Sequence, residues 1–232
     1  MKKFGFTLAE VLITLAIIGI VAALTLPSLI TKINNKGYAE RLIKTYSTLQ
    51  NVTNIIIQED GLPSTWNWES DAQNSNAWKI FDAYKSHLNV VKVCRAPLGF
   101  IEDDCAPATA DTKTLNGKYQ GFGISSENDI WGGHIGSMVL QDGTLINIKV
   151  KSYSTGVYWA FPSNLVFYID VNGKKAPNKI GRDIFFFYLT NAGKVLPFLS
   201  DDITHALGNS CDINSTGHSC AYKVITEGKM NY

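Results

Sequence analysis

Between Phe6 and Ile30 the chain is apolar at nearly every position, and Glu10 is the one formally charged side chain in that stretch. A run of about 25 such residues crosses a bilayer as a helix. Beyond it the pattern becomes a stripe. Tyr38, Leu42, Tyr46, Leu49, Val52 and Ile56 recur at spacings of three and four, while Glu40, Arg41, Lys44, Gln50 and Asn54 fill the other faces, which is the signature of an amphipathic helix. Together the two patterns predict one continuous helix from Phe6 to about residue 58, stopped by Gly61-Leu62-Pro63. At 1.5 Å per residue it reaches about 80 Å. Pro27 falls late in the apolar run, removes one backbone hydrogen bond and can bend the helix. Because the stripe resumes beyond it, Pro27 is read as a kink within the helix.

Residues 61–118 read as a connecting region with a single helix, Ala77 to Leu88, whose Ile80, Phe81, Tyr84 and Leu88 share a face. From residue 119 the period shortens to that of strands. Ser137–Gln141 and Thr144–Val150 flank Asp142-Gly143, a strong hairpin signal. Asn164–Val171 is a further strand, and Asp183–Thr190 and Lys194–Phe198 flank Asn191-Ala192-Gly193 as a second hairpin. A long helix followed by a mostly antiparallel sheet is an α+β arrangement.

Charge adds little to this picture. The formal net charge is +1, and loss of Lys2 and Lys3 would leave 19 basic against 20 acidic residues (21 − 2 = 19). A near-neutral chain lacks the footprint of a nucleic-acid binder, so no nucleic acid is expected as a partner. Four cysteines, Cys94, Cys105, Cys211 and Cys220, form two sequence-local pairs. In a domain placed behind a membrane-targeting segment they favour disulfides, Cys94–Cys105 and Cys211–Cys220, each worth about 2–3 kcal/mol on the chain-entropy model. Four cysteines nevertheless allow three pairings, and buried thiols are the alternative.

The N-terminus is the most informative segment. Lys2 and Lys3 precede the apolar run, as in a secretory signal, but the run is too long for one and no small-x-small cleavage site follows it. The order Gly5-Phe6-Thr7-Leu8-Ala9-Glu10 resembles the processing site of type IV prepilins and type II secretion pseudopilins. The resemblance implies that a prepilin peptidase cuts between Gly5 and Phe6 and N-methylates Phe6. It implies a pilin-like fold and assembly with other pilin-like subunits, through an inner-membrane platform protein and its assembly ATPase. Physical reasoning runs alongside. The two lysines hold the chain start on the cytoplasmic face, so the C-terminal domain is delivered outside the cytoplasm and the apolar helix sits in membrane lipid. A carboxylate in a membrane helix is costly and normally partnered. Cleavage would create an amine on Phe6, four residues from Glu10, and Glu10 is expected to pair with that amine, within the chain or on the neighbouring subunit. Between subunits the pair would set axial register in a filament. The resulting division is 1–5 leader, 6–30 membrane or filament-core helix, 31–60 amphipathic continuation, 61–118 connection and 119–232 sheet domain.

Other candidate chemistry is sparse. Asp170-Val171-Asn172-Gly173 begins like a calcium loop, and Asp170, Asn172 and Asp183 are the candidate ligands. Lys174 at the fifth position and the lack of a closing glutamate favour a shaped turn instead. Glu102-Asp103-Asp104 reads as a solvated loop tip. His205, Cys211, His218 and Cys220 have the residue types of a zinc site without a standard spacing. Trp66, Trp68, Trp78, Trp131 and Trp159 read as packing residues, with a carbohydrate platform as the alternative. No Gly-x-Ser-x-Gly, phosphate-loop or His-Glu-x-x-His motif occurs, so the expectation is a non-enzymatic structural subunit without a resident cofactor. A type II secretion pseudopilin is the leading reading. A minor pilin for adhesion or DNA uptake, and a membrane-tethered binding module that does not polymerise, are the alternatives.

Overall fold

The computed structural model describes residues 5, 7–66, 68, 75–95, 105–107, 111–118, 134–150, 164–198 and 211–232, with the side chains at 75, 95, 134 and 135 excepted. The chain divides into two units, one up to Gly37 and one from Tyr38 onward. Helix α1, Leu8–Asp60, contributes to both.

In the first unit α1 is apolar on every face from Val11 to Ile30. An 18-residue window has a mean hydropathy of 2.4 and none of it is buried, so this is a helix long and apolar enough to cross a membrane. Three of its hydroxyls are satisfied within the helix. Thr14 donates to the Val11 carbonyl at 2.9 Å, Thr25 to Val21 at 2.9 Å and Ser28 to Thr25 at 3.0 Å, as lipid requires of polar groups. The α-helix runs through Pro27 without ending there.

In the second unit, α1 buries Ala39, Leu42, Thr45, Leu49, Val52, Thr53 and Ile56. This stripe is broader than the one predicted, and Tyr38 and Tyr46 lie at its half-buried rim. The two threonines are tolerated because their hydroxyls bond back to the Arg41 and Leu49 carbonyls at 2.8 and 2.7 Å. A 3-10 turn, Pro63–Thr65, follows Gly61, and α2 spans Ser75–His87. Six strands then form one antiparallel sheet in sequence order: β1 Val90–Arg95, β2 His134–Leu140, β3 Leu145–Val150, β4 Leu165–Asp170, β5 Ile184–Leu189 and β6 Val195–Pro197. Helix α3, Cys220–Glu227, ends at Gly228 in the left-handed region.

Strands β3, β4 and β5 are buried at every position. Ile146, Ile148, Phe167, Ile169, Phe185 and Phe187 join the cluster that contains the α1 and α2 stripes. Leu145, Val166, Tyr168, Ile184, Phe186 and Tyr188 belong to a second cluster with Cys94 and Cys105. Strands covered on both faces read as near-continuous apolar runs, which is why Ile184–Leu189 is Ile-Phe-Phe-Phe-Tyr-Leu. Aromatic edges lock the first layer: Tyr46 stacks on Phe187 at 5.5 Å and Tyr84 meets Phe167 at 5.2 Å. Gln50 anchors the second hairpin, accepting the Val195 N–H at 2.8 Å and donating to the Gly193 carbonyl at 3.1 Å.

Two elements were not expected. Strand β1 lies within the stretch read as connection, because its pairing partner β2 is about forty residues away and local pattern does not reveal it. Helix α3 is too short to stand alone and is fixed by the disulfide at its first residue and by buried Ala221 and Val224.

Candidate functional site

The head of α1 is the first candidate. Thr7 is its N-cap and Glu10 lies three residues on. The Thr7 N–H and the Thr7 hydroxyl both donate to Glu10 Oε2 at 2.8 Å, and the Glu10 N–H donates to Thr7 Oγ1 at 3.3 Å. This is a reciprocal capping box, in which the threonine and the glutamate satisfy helix N–H groups that have no partner within the helix. A carboxylate here also suits the positive end of the helix dipole. Glu10 Oε1 makes no hydrogen bond among the described residues. The sequence reading missed the box, although Thr-x-x-Glu before an apolar run is its signature. Gly5 is exposed just ahead of the cap, and Phe6 lies outside the described residues.

The second candidate is the β4–β5 connection. Asp170 ends β4 and accepts the Asn172 N–H at 3.2 Å. Asp183, ahead of β5, accepts the Asn178 N–H at 2.8 Å and the Lys179 N–H at 2.6 Å. Asn172 Nδ2 donates to the Lys175 and Ala176 carbonyls at 2.9 and 3.2 Å and to the Tyr38 hydroxyl at 3.2 Å. Three of the four carboxylate oxygens thus accept backbone N–H groups and hold the turn's shape, while Lys174 is exposed. Asp170 Oδ2, Asn172 Oδ1 and Asn178 Oδ1 are buried without a hydrogen bond. Burial, and secondarily the neighbouring Asp183 carboxylate, push Asp170 well above the usual carboxylate range. Burial pushes Asp183 up to about 6 against the pull of its backbone donors. Among the described residues no three His, Cys, Asp or Glu side chains are grouped to hold a metal.

Cys94 is bonded to Cys105 and Cys211 to Cys220. The second bond commits both cysteines of the possible zinc set. Its His218 is buried, stacks on Phe186 at 5.1 Å and is pushed down to about 3 by loss of solvent, and His205 lies outside the described residues. His87 pairs with Glu59 at 3.1 Å. Trp78 packs edge-on against Phe81 at 5.6 Å, whereas Trp66 and Trp68 sit together at 5.4 Å. Trp131 and Trp159, and the Glu102-Asp103-Asp104 run, lie outside the described residues.

Residues 1–26 match the family model of the prokaryotic N-terminal methylation motif. No curated protein and no solved structure matches the chain. The matched segment takes in Gly5, the Thr7–Glu10 cap and the apolar start of α1, so the N-terminus of this chain carries the methylation motif that is the prepilin signal of type IV pilins and pseudopilins.

Proposed function

We propose that the chain is a filament subunit, a pseudopilin of a type II secretion machine. It is stored in the cytoplasmic membrane through the apolar half of α1, with the sheet unit outside the cytoplasm. Prepilin peptidase cuts between Gly5 and Phe6 and methylates the Phe6 amine. A platform protein and its ATPase then draw the helix into a bundle with other pilin-like subunits. The observation that carries this reading is the matched motif with its capping box. Thr7 occupies Glu10 Oε2 and orients the carboxylate toward the chain start, leaving Oε1 for the new amine of the same or a neighbouring subunit. Pro27 relieves the helix where lipid gives way to filament packing. For the β4–β5 connection we infer a backbone-stapled turn rather than a calcium site.

The test is the intact mass and N-terminal sequence of the membrane-extracted protein, made with and without a prepilin peptidase. A chain starting at Phe6 with one added methyl group is expected. An uncut chain in the presence of active peptidase would favour a tethered binding module instead.

A further inference from the structure

Where α1 ends, a groove of about 230 Å³ opens between Asp60, the 3-10 turn and α2. Its apolar lining is the buried Ile56 and Ile80 with the half-buried Trp66 and Ala83, and its polar lining includes the exposed Asp60, Thr65 and Lys79. The aromatic pair at this site is held by backbone. Trp66 Nε1–H donates to the Gly61 carbonyl at 3.0 Å and Trp68 Nε1–H to the Pro63 carbonyl at 2.9 Å. The indole polar edges are therefore spent on the turn, and what Trp66 offers the groove is ring surface. Gly61, with φ of +82°, and the buried Pro63 fix the turn that supplies both carbonyls. Asp60 and Lys79 form no ion pair among the described residues, and one carboxylate and one ammonium leave the rim without net charge.

An aromatic lining suits a ligand with an apolar ring face, and a rim of carboxylate and hydroxyl suits many hydroxyls. Absence of net charge disfavours an ionic ligand. We propose that this groove binds a short neutral saccharide, one ring stacked on Trp66 and its hydroxyls bonded to the Asp60 carboxylate and to Thr65 Oγ1, which accepts because its own hydrogen is donated to the Leu62 carbonyl at 2.8 Å. The site is independent of filament assembly, since none of its residues belongs to the N-terminal motif.

The test is an NMR titration of the tryptophan indole N–H signals in the full chain, held in a zwitterionic detergent without a sugar headgroup. The probes are cellotriose and chitotriose, with choline chloride as the ionic control. Saturable shifts of the Trp66 and Trp68 signals with at least one saccharide, and a stationary Trp78 signal, are expected. Trp66→Ala should weaken the dissociation constant by about tenfold or more. The exposed Asp60→Ala should weaken it while leaving the melting temperature unchanged. The proposal is overturned if neither saccharide moves the two signals, if Asp60→Ala binds as well as the parent, or if choline alone moves them.

Discussion

Asp170 and Asp183 are the same side chain in neighbouring places with different work. Both are raised in the folded state, Asp183 to about 6 and Asp170 well above the usual carboxylate range, against about 3.9 unfolded. The native state therefore holds protons that the unfolded chain releases. Their contribution to stability is fully present below the unfolded value and is lost as pH rises through about 6 and above. Asp170→Asn should raise the melting temperature at pH 8 and flatten its dependence on pH between 5 and 8 (on the order of one pH-titrating group). Asp183→Asn should instead destabilise by about 1–3 kcal/mol, because an amide cannot replace both oxygens that accept the Asn178 and Lys179 N–H groups. Thermal melts with and without a calcium chelator should coincide, and a chelator-dependent fall would reassign the turn to calcium. At the other end of the chain, Thr7→Val should leave leader cleavage intact and lower the yield of sheared filaments, with Thr7→Ser restoring it. Glu10→Gln keeps an acceptor for Thr7 but loses the charge, so a comparable filament yield from this variant would remove the pairing with the Phe6 amine.

At the scale of elements, packing rests on close approaches that a side chain would forbid. A Cβ on Gly136 of β2 would stand 2.5 Å from the Phe81 ring of α2, so the ring lies directly over strand backbone. Gly136→Ala should cost about 1–3 kcal/mol in a denaturant titration, and Phe81→Leu in the same chain should recover part of that loss. The amphipathic half of α1, α2 and the hairpin at Asp142-Gly143 were legible in the chain, because each follows from local period or turn chemistry. The helix stop was legible too, since Gly61 and Pro63 cannot extend α1. Strand β1 was not, because Val91 is exposed and the strand exists only through its ladder to β2. The capping box was legible in principle, as Thr7 and Glu10 carry its spacing, and one carboxylate serves both as the cap, through Oε2, and as a charge at the helix start.

Considered as a whole molecule, the chain joins a membrane-compatible helix to a unit with its own core. The unit from Tyr38 onward contains both disulfides and both hydrophobic clusters. A variant lacking residues 1–37 is therefore expected to be a soluble monomer with one cooperative unfolding transition, checked by ultracentrifugation and calorimetry. Aggregation of this variant would count against an independent core. What the sequence by itself determined is the N-terminal signal, the apolar and amphipathic halves of α1, and the α+β order, since these depend on residue order, period and length alone. What only the tertiary structure decided is the pairing of the four cysteines, the burial of β3, β4 and β5 on both faces, and the different roles of Asp170 and Asp183. Those depend on which distant segments meet, and on whether water is left between them.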